Sequence, residues 1–143
     1  KNAILGKKVN KKIVRNEVFS DNKKRNVLEK YIHQKLKINR TLFLKKNKKQ
    51  KIVFLDIPLL FENNLDKICD YVCSNIATLK VREERALKRS GMTKKIFLKI
   101  RQTQVKDAYR KEKSNYIINT SYSKEKTCLQ VDKIIYDITK KNK

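Results

Sequence analysis

Three short apolar runs, Ile52–Leu55, "YVCSNI" over Tyr71–Ile76 and "NYIINT" over Asn115–Thr120, stand apart in a chain otherwise crowded with lysine and asparagine. Four consecutive apolar residues are too few for a buried helix and suit a parallel strand covered on both faces. The stretches around the runs read differently. After a segment Lys11–Val18, apolar residues at Val27, Leu28, Tyr31, Ile32, Leu36 and Ile38 recur at helical spacing, and Ser20 or Asp21 is placed to cap that helix. "KKNKKQ", Lys45–Gln50, reads as a polar loop leading into the first run. Lys80–Lys113 is charged and helical in character, and Leu129–Ile138 closes the chain as an amphipathic helix. Strand, helix, strand, long helical excursion, strand, helix is an α/β pattern with a parallel sheet. Gly6, Gly91 and Pro58 are the only breakers, so turns fall to Asn, Asp, Ser and Lys, and helix makes up the bulk.

A chain of 143 residues suits one domain able to bury a core. It contains no apolar run long enough to span a bilayer, and no charged segment followed by an apolar h-region opens it. A cytoplasmic setting is expected. The formal charge of +24 suggests phosphate neutralisation. Yet 30 of the 38 basic residues are lysine, spread along the chain with Asn and Ile, as drift toward AT-rich codons would leave them. A dedicated nucleic-acid binder more often clusters arginine among aromatics. Cys69, Cys73 and Cys128 lack CxxC spacing, and the only histidine, His33, is remote in sequence, so they read as small apolar residues in a reducing compartment and no metal site is expected.

The first apolar run ends on an acid: "KIVFLDIPLLFE", Lys51–Glu62. In parallel sheets ligands bind beyond the carboxyl ends of the strands, where an acid can hold a magnesium ion or a hydroxyl. Pro58 fits the first turn of a short helix, with Leu59, Leu60 and Phe61 packing that turn onto the sheet. Asp56 serves equally well as the cap of that helix, and both readings stand at this point.

Longer stretches carry a family resemblance. "FLDIPLLFENNLDKICDYV" is similar to the corresponding segment of dephospho-coenzyme A kinases, P-loop kinases of the nucleoside-monophosphate kinase type. Upstream, "KKVNKKIVRNEVFSDNKKRNVLEKYIH" resembles the family stretch with a basic residue, a valine–phenylalanine pair and a His-Pro dipeptide in that order. Downstream, "REERALKRSGMTKKIFLKIRQTQ" resembles the R-x-x-x-R lid helix, a short turn and a helix ending in glutamine. "SNYIINTSYSKEKTCLQVDKI" resembles the closing strand, with its I-D-N, and the final helix. The order and spacing agree over essentially the whole chain.

The resemblance implies an incomplete P-loop kinase-type α/β sheet with a helical substrate-binding insertion and a helical lid. Residues 1–50 would be the dephospho-coenzyme A-binding region, 51–79 part of the nucleotide core, 80–113 the lid and 114–143 the last core strand and helix. It implies transfer of the ATP γ-phosphate, with Mg2+, to the ribose 3′-hydroxyl of dephospho-coenzyme A. Phosphoryl transfer is catalysed mainly by positioning and by cations. Arg85 and Arg89 stand four apart, on one face of a helix, able to reach across a closed lid; a solvated helix pairing them with Glu83 and Glu84 is the alternative. Gln104 and Arg110, on the lid's return helix, are further ATP-side candidates. Asp56 is implied in catalysis and substrate binding, His33 in substrate binding, and Lys11 stands where the family has an arginine, keeping the charge without the bidentate fork.

The departures are specific. Gln34 replaces the proline after His33, Ile118-Asn119-Thr120 replaces I-D-N, the segment Asn75–Leu79 lacks the Ser-Pro turn, and no G-x-x-x-x-G-K-[ST] occurs in the 143 residues. The expectation is a C-terminal part of such a kinase, inactive by itself because no backbone N–H nest holds the β- and γ-phosphates. The competing expectation is a basic non-catalytic module binding RNA or an acidic partner.

Overall fold

The computed structural model describes residues 4–5 and 8–141, and within them the side chains of all but 4, 5, 8, 11, 12, 15, 16 and 19. The chain divides into two compact units, Lys1–Phe54 and Leu55–Lys143.

In the first unit a two-residue antiparallel ladder pairs β1 (Ile4–Leu5) with β2 (Lys8–Val9), a feature for which the sequence gives no periodic signal. Two helices follow, α1 (Lys11–Ser20) and α2 (Asn22–Lys46). Asp21 separates them in an extended conformation. Its Oδ1 accepts from the backbone N–H of Lys23 at 2.8 Å and of Lys24 at 3.2 Å, so the acid caps α2 as its position suggests. The helix runs two residues into the stretch read as a loop, and Asn47 ends it by donating its amide to the Phe43 carbonyl at 2.8 Å. The amphipathic expectation fails in one respect: α2 buries none of its residues, and Val27, Tyr31 and Leu36 stay 71%, 58% and 55% exposed. The residues at 27, 28, 31, 32, 36 and 38 share one side of the helix, as their spacing indicates, but among the described residues no partner buries that side.

The run Ile52–Leu55, expected as a strand, takes no part in a sheet, and Phe54 is 68% exposed. A strand is defined by its ladder, and among the described residues no other strand lies beside this one. The helix expected after Pro58 is also absent. Leu59 has φ of +56°, left-handed backbone that breaks the turn at its second residue, and the loop closes through Asn63 N–H to Leu59 O at 3.2 Å and Leu65 N–H to Leu60 O at 2.9 Å.

The second unit is built around a parallel pair, β3 (Cys73–Ile76) and β4 (Tyr116–Asn119), in register from Cys73 opposite Tyr116 to Ile76 opposite Asn119. The parallel α/β expectation is borne out here, with two strands of the expected three. Asn115 extends the ladder by one rung, its Oδ1 accepting from Val72 N–H at 2.8 Å. Between the strands run α3 (Leu79–Leu87), α4 (Lys94–Thr103) and α5 (Asp107–Lys113), and α6 (Lys124–Lys141) closes the chain. Thr78 and Thr93 cap α3 and α4 with their hydroxyls. Among the described residues the core is small: Phe61, Val72 and Ile118, with Ser74 as the buried polar residue. Ser114 Oγ lies 2.7 Å from Ser74 Oγ and 2.6 Å from the Arg110 carbonyl. With one proton to give, Ser114 donates to the carbonyl and accepts from Ser74. No helix among the described residues is long and apolar enough to cross a membrane.

Candidate functional site at the carboxyl ends of the parallel strands

Both strands of the second unit point their carboxyl ends at one mouth, formed by residues 76–79 after β3 and 119–121 after β4. That mouth is stitched together closely. Thr120 N–H donates to Ile76 O at 2.8 Å and Thr120 Oγ1 to the same oxygen at 3.1 Å. Thr78 N–H donates to Ser121 Oγ at 2.9 Å, and Ser121 N–H to Asn119 Oδ1 at 3.0 Å. On its outer side, Asn119 meets the amide of Gln130 from α6, which accepts from Asn119 N–H at 2.9 Å and donates to Asn119 O at 3.2 Å. One side-chain amide thus satisfies both backbone groups that a neighbouring strand would otherwise take.

A cavity of about 280 Å³ opens here, lined by Ile76, Ala77, Thr78, Leu79, Arg82, Asp107, Lys111 and Asn119. Ligands of α/β proteins bind beyond the carboxyl ends of the strands, and this lining is largely polar, with Thr78, Arg82, Asp107, Lys111 and Asn119 beside Ile76, Ala77 and Leu79. Around it the arginines are held rather than free. Arg82 grips Asp107 with both forks, at 3.1 and 2.6 Å. Arg85 donates to the Thr120 carbonyl at 2.6 Å and to its hydroxyl at 3.3 Å. Arg110 donates to the Asn75 carbonyl at 2.8 Å and lies 3.8 Å from Asp107.

The expected site residues are distributed unevenly. Arg85 and Arg110 reach the mouth. Arg89 does not share a helical face with Arg85: α3 ends at Leu87, and Arg89 sits in the turn that Gly91, at φ +75°, allows to reverse. Glu83 pairs with Lys94 at 3.2 Å, not with Arg85 or Arg89. Gln104 and Arg110 are not on one return helix. Gln104 is the C-cap of α4, and α5 begins three residues later. Asp56 is exposed, and no helix follows it, so the capping alternative falls. Of its stretch, Phe61 is buried edge-on against Tyr109 of α5, and Glu62 accepts from Val105 N–H at 3.0 Å. The turn therefore anchors the approach to α5. His33 is exposed on α2 in the first unit; the side chain of Lys11, first residue of α1, lies outside the described residues.

Three participants escaped the sequence reading: Arg82, Asp107 and Gln130. Arg82 stands one turn before Arg85, and Asp107 is the acid opening α5, but pairing residues 25 apart leaves no periodic trace. Among the described residues no three or more His, Cys, Asp or Glu gather into a metal-binding group. The donors at the mouth, guanidinium, ammonium, hydroxyl and amide, suit an anion such as a nucleotide.

The family model described as dephospho-CoA kinase matches residues 3–125. A dephospho-CoA kinase of Bartonella quintana is 35% identical over 135 residues, spanning 93% of this chain and 69% of that protein. One of Novosphingobium aromaticivorans is 34% identical over 125 residues, spanning 87% of this chain and 62% of that protein. The solved dephospho-CoA kinase from Campylobacter jejuni superposes with a TM-score of 0.71 at 22% identity, covering all of this chain and 72% of that one. A solved protein from Thermus thermophilus gives 0.74 at 22% identity, covering 94% and 70%.

Proposed function

Since the chain belongs to the dephospho-CoA kinase family, we propose that it forms the lid and nucleotide-side wall of an ATP-dependent kinase acting on the ribose 3′-hydroxyl of dephospho-coenzyme A. The observation that carries this reading is the delivery of Arg85 to the mouth of the parallel strands, beside a cavity walled by Arg82, Thr78, Lys111 and Asn119. ATP with Mg2+ would supply the phosphoryl group. The chain's own contribution is charge and position. Arg85 is the cation for the transferring phosphoryl oxygens, held by the Thr120 carbonyl until a better acceptor arrives. Lys111 stands as a second cation on the cavity wall. Arg89, Gln104 and Arg110 complete the ATP-side set, and Asp56, His33 and Lys11 the substrate-side set, with Asp56 also in catalysis. Asp56 has no hydrogen bond among the described residues and is free to accept one from a substrate hydroxyl.

The test is dephospho-coenzyme A-dependent ADP release by the polypeptide as its gene encodes it. Arg85→Ala should lower turnover on the order of 100-fold, as removal of a transition-state charge stabiliser does. Absence of ADP release from an unaltered polypeptide that carries a phosphate-binding loop would sink the kinase reading, and an unchanged rate in Arg85→Ala would remove Arg85 from the site.

A further inference from the structure

The tightest charged contact at the mouth joins Arg82, so far only a wall of the cavity, to Asp107. Arg82 and Asp107 meet fork to fork, Nη1–Oδ1 at 3.1 Å and Nη2–Oδ2 at 2.6 Å, across 25 residues of chain from α3 to α5. Two parallel N–H···O bonds fix the guanidinium in a plane, which a single contact does not. Arg82 Nε is buried and finds no partner among the described residues, so the arginine depends on this carboxylate for its pairing. Asp107 also lies 3.8 Å from Arg110, whose other arm holds the Asn75 carbonyl at the end of β3. One acid therefore ties α3, α5 and β3 together, and among the described residues it is the only carboxylate lining the cavity beside Arg82 and Lys111.

Arg85 lies three residues after Arg82, one turn along α3 and on the neighbouring face. Fixing the rotation of α3 at Arg82 fixes where Arg85 emerges, over Thr120 at the end of β4. Without Asp107 a partly buried guanidinium would face Arg110 and Lys111 with no counter-charge, and α3 would turn or tilt to rehydrate it. We infer that Arg82 and Asp107 are a positioning pair that orients Arg85 for the reacting phosphate, an inference that rests on the kinase reading. Neither residue touches the reacting atoms; both act through Arg85.

Arg82→Lys keeps the charge and loses the fork, while Asp107→Asn keeps the shape and loses the charge. In the polypeptide as encoded, each should lower kcat about tenfold or more while KM for ATP moves much less, the pattern of a misplaced catalytic group. The Nε–Hε NMR signal of Arg85, assigned through Arg85→Lys, should shift or broaden in both variants. A pair that serves only folding would lower Tm and leave kcat per folded molecule and the Arg85 signal unmoved; that result, or an unchanged kcat alone, overturns the inference. If an unaltered polypeptide that carries a phosphate-binding loop releases no ADP, the kinase reading has failed. The Arg85 signal then still decides by itself whether the pair orients that arginine.

Discussion

Single side chains do much of the joining in the second unit. Gln130 acts as a one-residue strand, bonding both backbone groups of Asn119. Gln130→Ala leaves that N–H and C=O to find water at a half-buried strand end, and should lower stability by about 1–2 kcal/mol, read as a shift of the urea midpoint. At the opposite end of β4, Tyr116 donates to Asp137 at 2.5 Å, and Lys141 donates to both, at 2.9 Å to Asp137 and 3.3 Å to Tyr116. The Tyr116 hydroxyl, with Lys141 second, holds the Asp137 carboxyl below its ordinary 3.8. Its hydrogen bond to Asp137 raises Tyr116 above 10.0, and the bond to the same acid raises Lys141 above 10.5. A lowered carboxylate contributes stability above its unfolded value and loses it as acid protonates the folded form; a raised phenol or amine contributes below its unfolded value and loses it in base. Tyr116→Phe should therefore lower Tm most between about pH 5 and 9, with the difference from the parent shrinking toward both extremes. A difference that stays flat from acid to base would show that the three groups are not coupled.

At the level of elements, the turns carry identifiable backbone demands. Gly91 sits at φ +75°, and a Cβ there would meet nothing within 4 Å, so Gly91→Ala isolates the backbone term and should cost about 1 kcal/mol. Leu59, at φ +56° and half exposed, is the reverse case: Leu59→Gly should stabilise by about 0.5–1 kcal/mol in the same denaturant titration. These two turns also mark where the sequence was legible and where it was not. Asp21 as a cap, the strands over 73–76 and 116–119 and the final helix could all be read from local chemistry, because cap geometry and apolar runs are local. The run Ile52–Leu55 looked the same on paper, but a ladder needs a neighbour, and apolarity alone does not supply one. The long excursion was read as a lid helix, a short turn and a helix ending in glutamine; the turn over 88–93 and the end of α4 at Gln104 agree, whereas the further break over Gln104–Lys106 that starts α5 was not read. The turn separates Arg89 from Arg85. The R-x-x-x-R spacing singled out Arg85; the pairing of Arg82 with Asp107 had no such signal, since ion pairs between distant residues leave no period in the sequence.

For the molecule as a whole, a formal charge of +24 on 143 residues is a standing self-repulsion. Seven salt bridges among the described residues neutralise little of it. Raising sodium chloride from about 20 mM to about 500 mM shortens the Debye length to a few ångströms and should raise Tm, with sulfate more effective than chloride. A Tm that falls with salt would mean that the ion pairs outweigh the repulsion. Two of the anchors described above rest on more than this ledger, because Arg85 and Arg110 donate to main-chain carbonyls, those of Thr120 and Asn75. A main-chain oxygen is present whatever side chain evolution places there. A change of side chain at 75 leaves the carbonyl that holds Arg110, and one at 120 removes only the longer hydroxyl contact of Arg85. The inheritance that matters at those positions is the path of the backbone, and a search for substitutions that disable them should look to insertions and deletions near residues 75 and 120 before it looks to changes of amino acid.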